Sequence, residues 1–140
     1  MLAAICLAGC DHFPQDPERT LEQVQESRVL RVGIEGQPPP EATRLLHQIE
    51  AVTGARARIS EGGVEPLLAK LDKGEIDLVI ARFGRETPWA AEAALSPPLH
   101  IDGSGETATE WRAAMRGGEN RWIMLVETRA RRVSAVPDAS

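Results

Sequence analysis

"EIDLVIARFGRETPWA", residues 75–90, decides how this chain is read. Ile76 to Ala81 is apolar apart from Asp77, and so continuous a run suits a central parallel strand covered on both faces. A charge in such a strand must sit near its start or be hydrogen-bonded. "GEIDLVIA" puts Asp77 at the start, where it can cap a neighbouring turn. The run then gives way to Arg82, Arg85, Glu86 and Thr87, which lift charge into solvent. In open α/β sheets ligands bind outside the carboxyl ends of the strands. Loops of any soluble domain also carry charge, so this segment is either a binding edge or only the place where a core strand stops.

Working towards the N-terminus, "RVLRVGIEG" (28–36) is a first strand, with Gly33 and Gly36 allowing close approach or a turn. Ala42, Leu45, Leu46, Ile49 and Val52 share one helical face in 41–53, and Gly54 stops that helix. "ARARIS" (55–60) alternates as a second strand. Pro66 fits the first turn of a helix whose face is Val64, Leu67, Leu68 and Leu71. Residues 28–81 thus read strand–helix–strand–helix–strand, the pattern of a parallel α/β sheet with right-handed crossovers and helices on both faces. Before it, "TLEQVQESR" is a short helix in which Thr20 and Gln23 have capping-box spacing.

Beyond residue 84 the pattern weakens. "TPWAAEAAL" reads as a short helix, "SPPL" as extended, and "IDGSGETAT" (101–109) as a flexible loop. "EWRAAMR" (110–116) alternates as a strand, and "GGEN" is a turn. "RWIMLVETRARR" could be a buried strand, but Glu119 before it and three arginines near its end favour a helix by the macrodipole rule.

With 140 residues and 42% apolar content, one packed domain is expected. A net charge of −5, 4% aromatics and no Tyr argue against a nucleic-acid partner. His12, His47 and His100 are scattered, so neither a metal site nor a hydrolytic triad can be assembled, and His47 falls on the solvent side of its helix. Pro38 to Pro40 stand where a dinucleotide site needs free amides. No cofactor and no catalytic grouping is expected, and the chain reads as a non-enzyme.

The opening "MLAAICLAGC" resembles the end of a bacterial lipoprotein signal, with Leu7, Ala8 and Gly9 in lipobox positions and Cys10 as the lipidated residue. It lacks the usual Lys or Arg before its apolar run, which is shorter than a usual signal core. The resemblance implies export, a lipid anchor on the periplasmic side of the cell envelope, and loss of Cys6 with the signal. The expected organisation is a signal at 1–10, a tether at 11–19, a domain at 20–132 and a flexible tail at 133–140.

"TLEQVQESRVLRVGIEGQPPP" and "GEIDLVIA…TPW…SPP" resemble bacterial extracellular solute-binding proteins of family 3, with the type 2 periplasmic binding fold. A similar module occurs in membrane-bound lytic transglycosylases. "WRAAMRGGENRWIMLVETRAR" resembles a later segment of the same family. The resemblance implies one α/β lobe, because only about a dozen residues separate "SPPL" from "EWRAAMR", where a second lobe normally stands. It also implies a substrate-binding component of a transporter for a small polar solute such as an amino acid. Expected partners are that solute and a membrane permease. The alternative is a non-catalytic envelope module whose exposed edge binds a protein or a second copy. Three polar groups should gather at the strands' carboxyl ends, making Glu35, Gln37, Glu61, Arg82, Arg85 and Thr87 the candidate ligand contacts. Amino-acid binders of the family carry an arginine just before the "S-P" that pairs with the ligand carboxylate. This chain has Trp89 and Ala90 there, so Arg82 or Arg85 would have to substitute.

Overall fold

A computed structural model describes residues 16–135. The elements run α1 (Thr20–Ser27), β1 (Val29–Ile34), α2 (Pro40–Thr53), β2 (Arg56–Glu61), α3 (Val64–Asp72) and β3 (Leu78–Gly84). After a 3-10 turn at Pro88–Ala91 come β4 (Ala93–Leu95), β5 (His100–Asp102), β6 (Thr109–Arg116) and α4 (Asn120–Ser134).

One sheet is ordered β2-β1-β3-β6-β4, with β5 also paired to β6. β1 is parallel to β2 and to β3, as the alternation of strands and helices predicts. β6 is antiparallel to β3, β4 and β5. The second half of the sheet is therefore antiparallel, which the weaker pattern after residue 84 did not disclose.

Leu78, Val79, Ile80 and Ala81 are all fully buried, so β3 is central and covered on both faces. Leu30, Val32, Leu78, Ile80, Trp111, Ala113 and Met115 point to the layer of α1, α2 and α4. Val79, Ala81, Phe83 and Ala114 point to α3. The result is three layers. At Gly33 the close approach is real: a Cβ there would lie 2.6 Å from Leu67 Cδ2.

Several local expectations need correction. Val52 is 40% exposed, because α2 ends there, and Thr53 is buried instead, its hydroxyl donating to the Ile49 carbonyl. "TPWAAEAAL" splits into a 3-10 turn and β4, since Ala93–Leu95 pairs with β6. Within 101–109, Ile101 and Asp102 complete β5. Thr20 and Gln23 form no capping box. Arg19 occupies the N-cap with no side-chain cap, and Gln23 Nε2 donates to the Glu18 carbonyl. Glu119 takes over the task from the far end of the chain, accepting from the backbone N–H groups of Glu18 (3.3 Å) and Thr20 (3.1 Å) and from the Thr20 hydroxyl. Its carboxylate is fully buried and does not cap its own helix. α4 runs through Ser134 with Val133 buried, two residues past the expected domain end.

Asp77 caps no turn. It is bound to β1, accepting from the Arg31 backbone N–H (2.9 Å), Nε (3.2 Å) and Nη2 (2.8 Å). Its own carbonyl accepts from Trp122 Nε1 at 2.9 Å, which ties α4 to the start of β3. This hydrogen bonding, joined by Coulomb attraction and opposed by burial, pushes the Arg31 ionisation above its ordinary value.

Candidate functional site

In the order β2-β1-β3 the connections leave β1 in opposite directions, so the gap between β1 and β3 is the topological switch point. Beyond it lies a cleft of about 410 Å³ lined by Gln37, Pro39, Arg82, His100, Asp102 and Trp111. Gln37 and Pro39 follow β1. Arg82 comes from β3, and alternation puts it on the same face as Ile80. Trp111 faces Arg82 in the β3–β6 register, and His100 faces Trp111 in the β5–β6 register.

These side chains hold one another. The Arg82 guanidinium sits 5.6 Å from the centre of the Trp111 ring, a cation–π placement. Trp111 Nε1 donates to Asp102 Oδ2 at 2.9 Å, which fixes the ring. His100 Nε2 lies 3.3 Å from Asp102 Oδ1, and its Nδ1 lies 3.5 Å from Glu41 Oε1. Glu41 is 7% exposed in the first turn of α2, where a helix favours negative charge, with Arg44 Nη2 at 3.6 Å. Pro38, Pro39 and Pro40 have no N–H, so this helix start offers an anion few donors. The exposed cation of the cleft is Arg82, which has no carboxylate partner among the described residues.

Of the six predicted contacts, the fold brings Gln37 and Arg82 into this cleft. The Glu35 N–H donates to the Ile80 carbonyl at 3.0 Å, so its backbone joins β1 to β3 while its side chain is half-buried. Arg85 is turned to Glu110, Nε to Oε1 3.9 Å, and Glu110 also holds Arg112. Thr87 Oγ1 accepts from Trp89 N–H and caps the 3-10 turn. Glu61 is exposed at the end of β2, opposite Ile34. Glu35, Glu61, Arg85 and Thr87 do not line the cleft.

His100, Asp102 and Trp111 are contacts that sequence reasoning missed. Their one signal is the period-two spacing of His100 and Asp102, legible only once β5 is paired with β6.

The roomier clefts are elsewhere. One, of about 610 Å³, lies between α3 and the 3-10 turn, with Leu68, Trp89, Glu65 and Glu92 among its lining. Another, of about 630 Å³, runs along α1 and β1 past Arg31 and Arg58. The smaller cleft is the stronger candidate, because the strand ends, an unpaired cation and a fixed aromatic ring converge there.

A three-layer α/β unit with this strand order and a cleft at its switch point has the fold of one lobe of a type 2 solute-binding protein. Solved structures show the likeness directly. The arginine-bound form of domain 1 from TmArgBP matches with a TM-score of 0.66 at 18% identity, over 79% of this chain and 97% of that one. An amino acid ABC transporter substrate-binding protein from Streptococcus pneumoniae, bound to L-arginine, matches at 0.69 and 8%, over 81% and 91%. The ancestral amino acid-binding protein AncCDT-1, described as a precursor of cyclohexadienyl dehydratase, matches at 0.64 and 10%, over 81% and 92%. No protein-family model matches the chain, nor does any curated protein at the level of sequence.

Proposed function

We propose that the protein binds a small polar solute bearing a carboxylate, such as an amino acid, in the Arg82 cleft, and serves as the binding component of a transporter. The observation that carries this reading is Arg82 itself. It is exposed, unpaired among the described residues, and held over Trp111 at the carboxyl end of the central strand. A guanidinium so placed offers a carboxylate two parallel N–H donors, and Asp102 lies within the same cleft for an ammonium group. Arg85, the other arginine open to this role, is engaged by Glu110. Support for one lobe sufficing comes from domain 1 of TmArgBP, which was crystallised in an arginine-bound form. We further propose export and anchoring at the outer face of the membrane through lipid on Cys10, which lies outside the described residues. Metabolic labelling with a fatty acid, lost in Cys10→Ser, tests that separately.

The experiment for the solute is a thermal-shift screen of the full chain against amino acids and other small carboxylates. A ligand at a hundred times its dissociation constant stabilises by roughly 2.7 kcal/mol, a shift of several degrees, and Arg82→Ala should remove it. If no solute shifts the transition while the protein dimerises with rising concentration, the edge serves a protein partner instead.

A further inference from the structure

We propose that the outer face of α4 is a docking surface for an anionic lipid bilayer. The buried side of α4 is Trp122, Val126, Ala130 and Val133. At 100° per residue the opposite side carries Arg121, Met124, Thr128, Arg131 and Arg132. Met124 is 68% exposed, the most exposed large apolar side chain among the described residues. α4 has four arginines and one glutamate in a chain whose net charge is −5, so positive charge is concentrated here against the trend of the molecule. Arg121 is paired with Glu22, and Arg131 Nη2 lies 3.9 Å from Glu127. Arg132 on this face is exposed and has no carboxylate partner among the described residues, while Arg129 lies on the flank beside the buried side.

The helix macrodipole accounts for cations in the last turn. It does not account for an exposed methionine on the same face. The apolar side of α4 is packed in the core, so contact with a bilayer would rest on the exposed arginines, which anionic headgroups attract, with Met124 as the one apolar side chain free to enter the headgroup layer.

The path of the chain points the same way. Asp16 is clamped to the start of α4: its N–H donates to the Gly118 carbonyl at 3.2 Å, and its Oδ1 accepts from the Arg121 N–H at 2.7 Å. The six residues from Cys10 to Asp16 reach at most about 20 Å, close to the length of α4 itself. An anchor at Cys10 would therefore hold α4 near the bilayer. The charge of the face stands without that anchor, and solute binding in the Arg82 cleft is independent of it.

The test uses the full chain with Cys10→Ser, so that no lipid contributes, and equimolar phosphatidylglycerol–phosphatidylcholine vesicles against phosphatidylcholine alone. Co-sedimentation with the anionic vesicles only, lost at high salt, is expected. Arg131→Gln with Arg132→Gln should weaken it about thirtyfold, with the thermal midpoint lowered by no more than a few degrees because both side chains are exposed and contribute only through the helix end. Equal binding to both vesicles, no binding to either, or an unaffected double variant overturns the proposal. The solute screen on the same preparation shows whether the cleft reading stands or falls on its own.

Discussion

Glu119→Ala should be among the most damaging single polar substitutions in the domain. The side chain is fully buried and accepts two backbone N–H groups and one hydroxyl at the start of α1. Loss of a helix cap alone costs about 1 kcal/mol. The acceptor here is also a carboxylate, and hydrogen bonds to charged groups contribute roughly 1.5–3 kcal/mol each. The bond from Glu18 is long at 3.3 Å and counts for little, so the total is about 3 kcal/mol. In a domain of this size that lowers the thermal midpoint by roughly 10 °C. Glu119→Gln keeps one acceptor and should lose about half as much. Thermal unfolding followed by circular dichroism gives the midpoint, and hydrogen exchange at residues 20–24 shows whether α1 is the part that loosens. A midpoint within roughly 3 °C of the parent, or unchanged protection in α1, refutes the reasoning.

Other substitutions probe other links. Asp77→Ala leaves Arg31 without its partner. That arginine side chain is 37% exposed, so water limits the cost to about 2 kcal/mol rather than the 3–5 of a fully buried pair, as urea titration should show. Because the Arg31 ionisation is raised, its contribution is complete below the ordinary arginine value and fades only as pH climbs through the still higher folded-state value. The arginine therefore adds no slope to stability around neutral pH. Gly33→Ala forces Leu67 or Ile76 aside and should cost about 1–3 kcal/mol, with Leu67→Ala relieving part of it in the double variant. Glu50 Oε2 accepts the Ala57 N–H at 2.9 Å on the edge strand β2, so Glu50→Ala should lower the midpoint by a few degrees and, by freeing that edge N–H, quicken aggregation in light scattering.

The parallel half of the fold was legible because it is local. The run Leu78–Ala81, the faces of α2 and α3, and Gly54 each report their own surroundings within a few residues. The antiparallel half depends on pairing across turns of irregular length. Nothing local says that three residues from His100 should lie beside Trp111. The candidate site divides the same way. Arg82 and Gln37 follow from the rule that ligands gather at the carboxyl ends of strands. Asp102, which fixes the Trp111 ring under Arg82, follows only from the register of β5 on β6. Arg85 has the right residue type, but Glu110 holds it, and a sequence lists charges without showing which are neutralised. Glu119 is the extreme case: its three partners lie about a hundred residues earlier, and "GGEN" reads only as a turn.

The place of β6 in the sheet also sets an order of events during synthesis. β6 lies inside the sheet, between β3 and β4, yet it is the last strand to be made. Until residue 116 has emerged, β3 has an open edge and β4 and β5 have no neighbour to pair with. A growing chain thus carries the apolar Leu78–Ala81 run with one edge of its strand open from the time β3 is made until Arg116 has emerged. During that interval the free edge of β3 is the part of a newly made copy most open to wrong pairing.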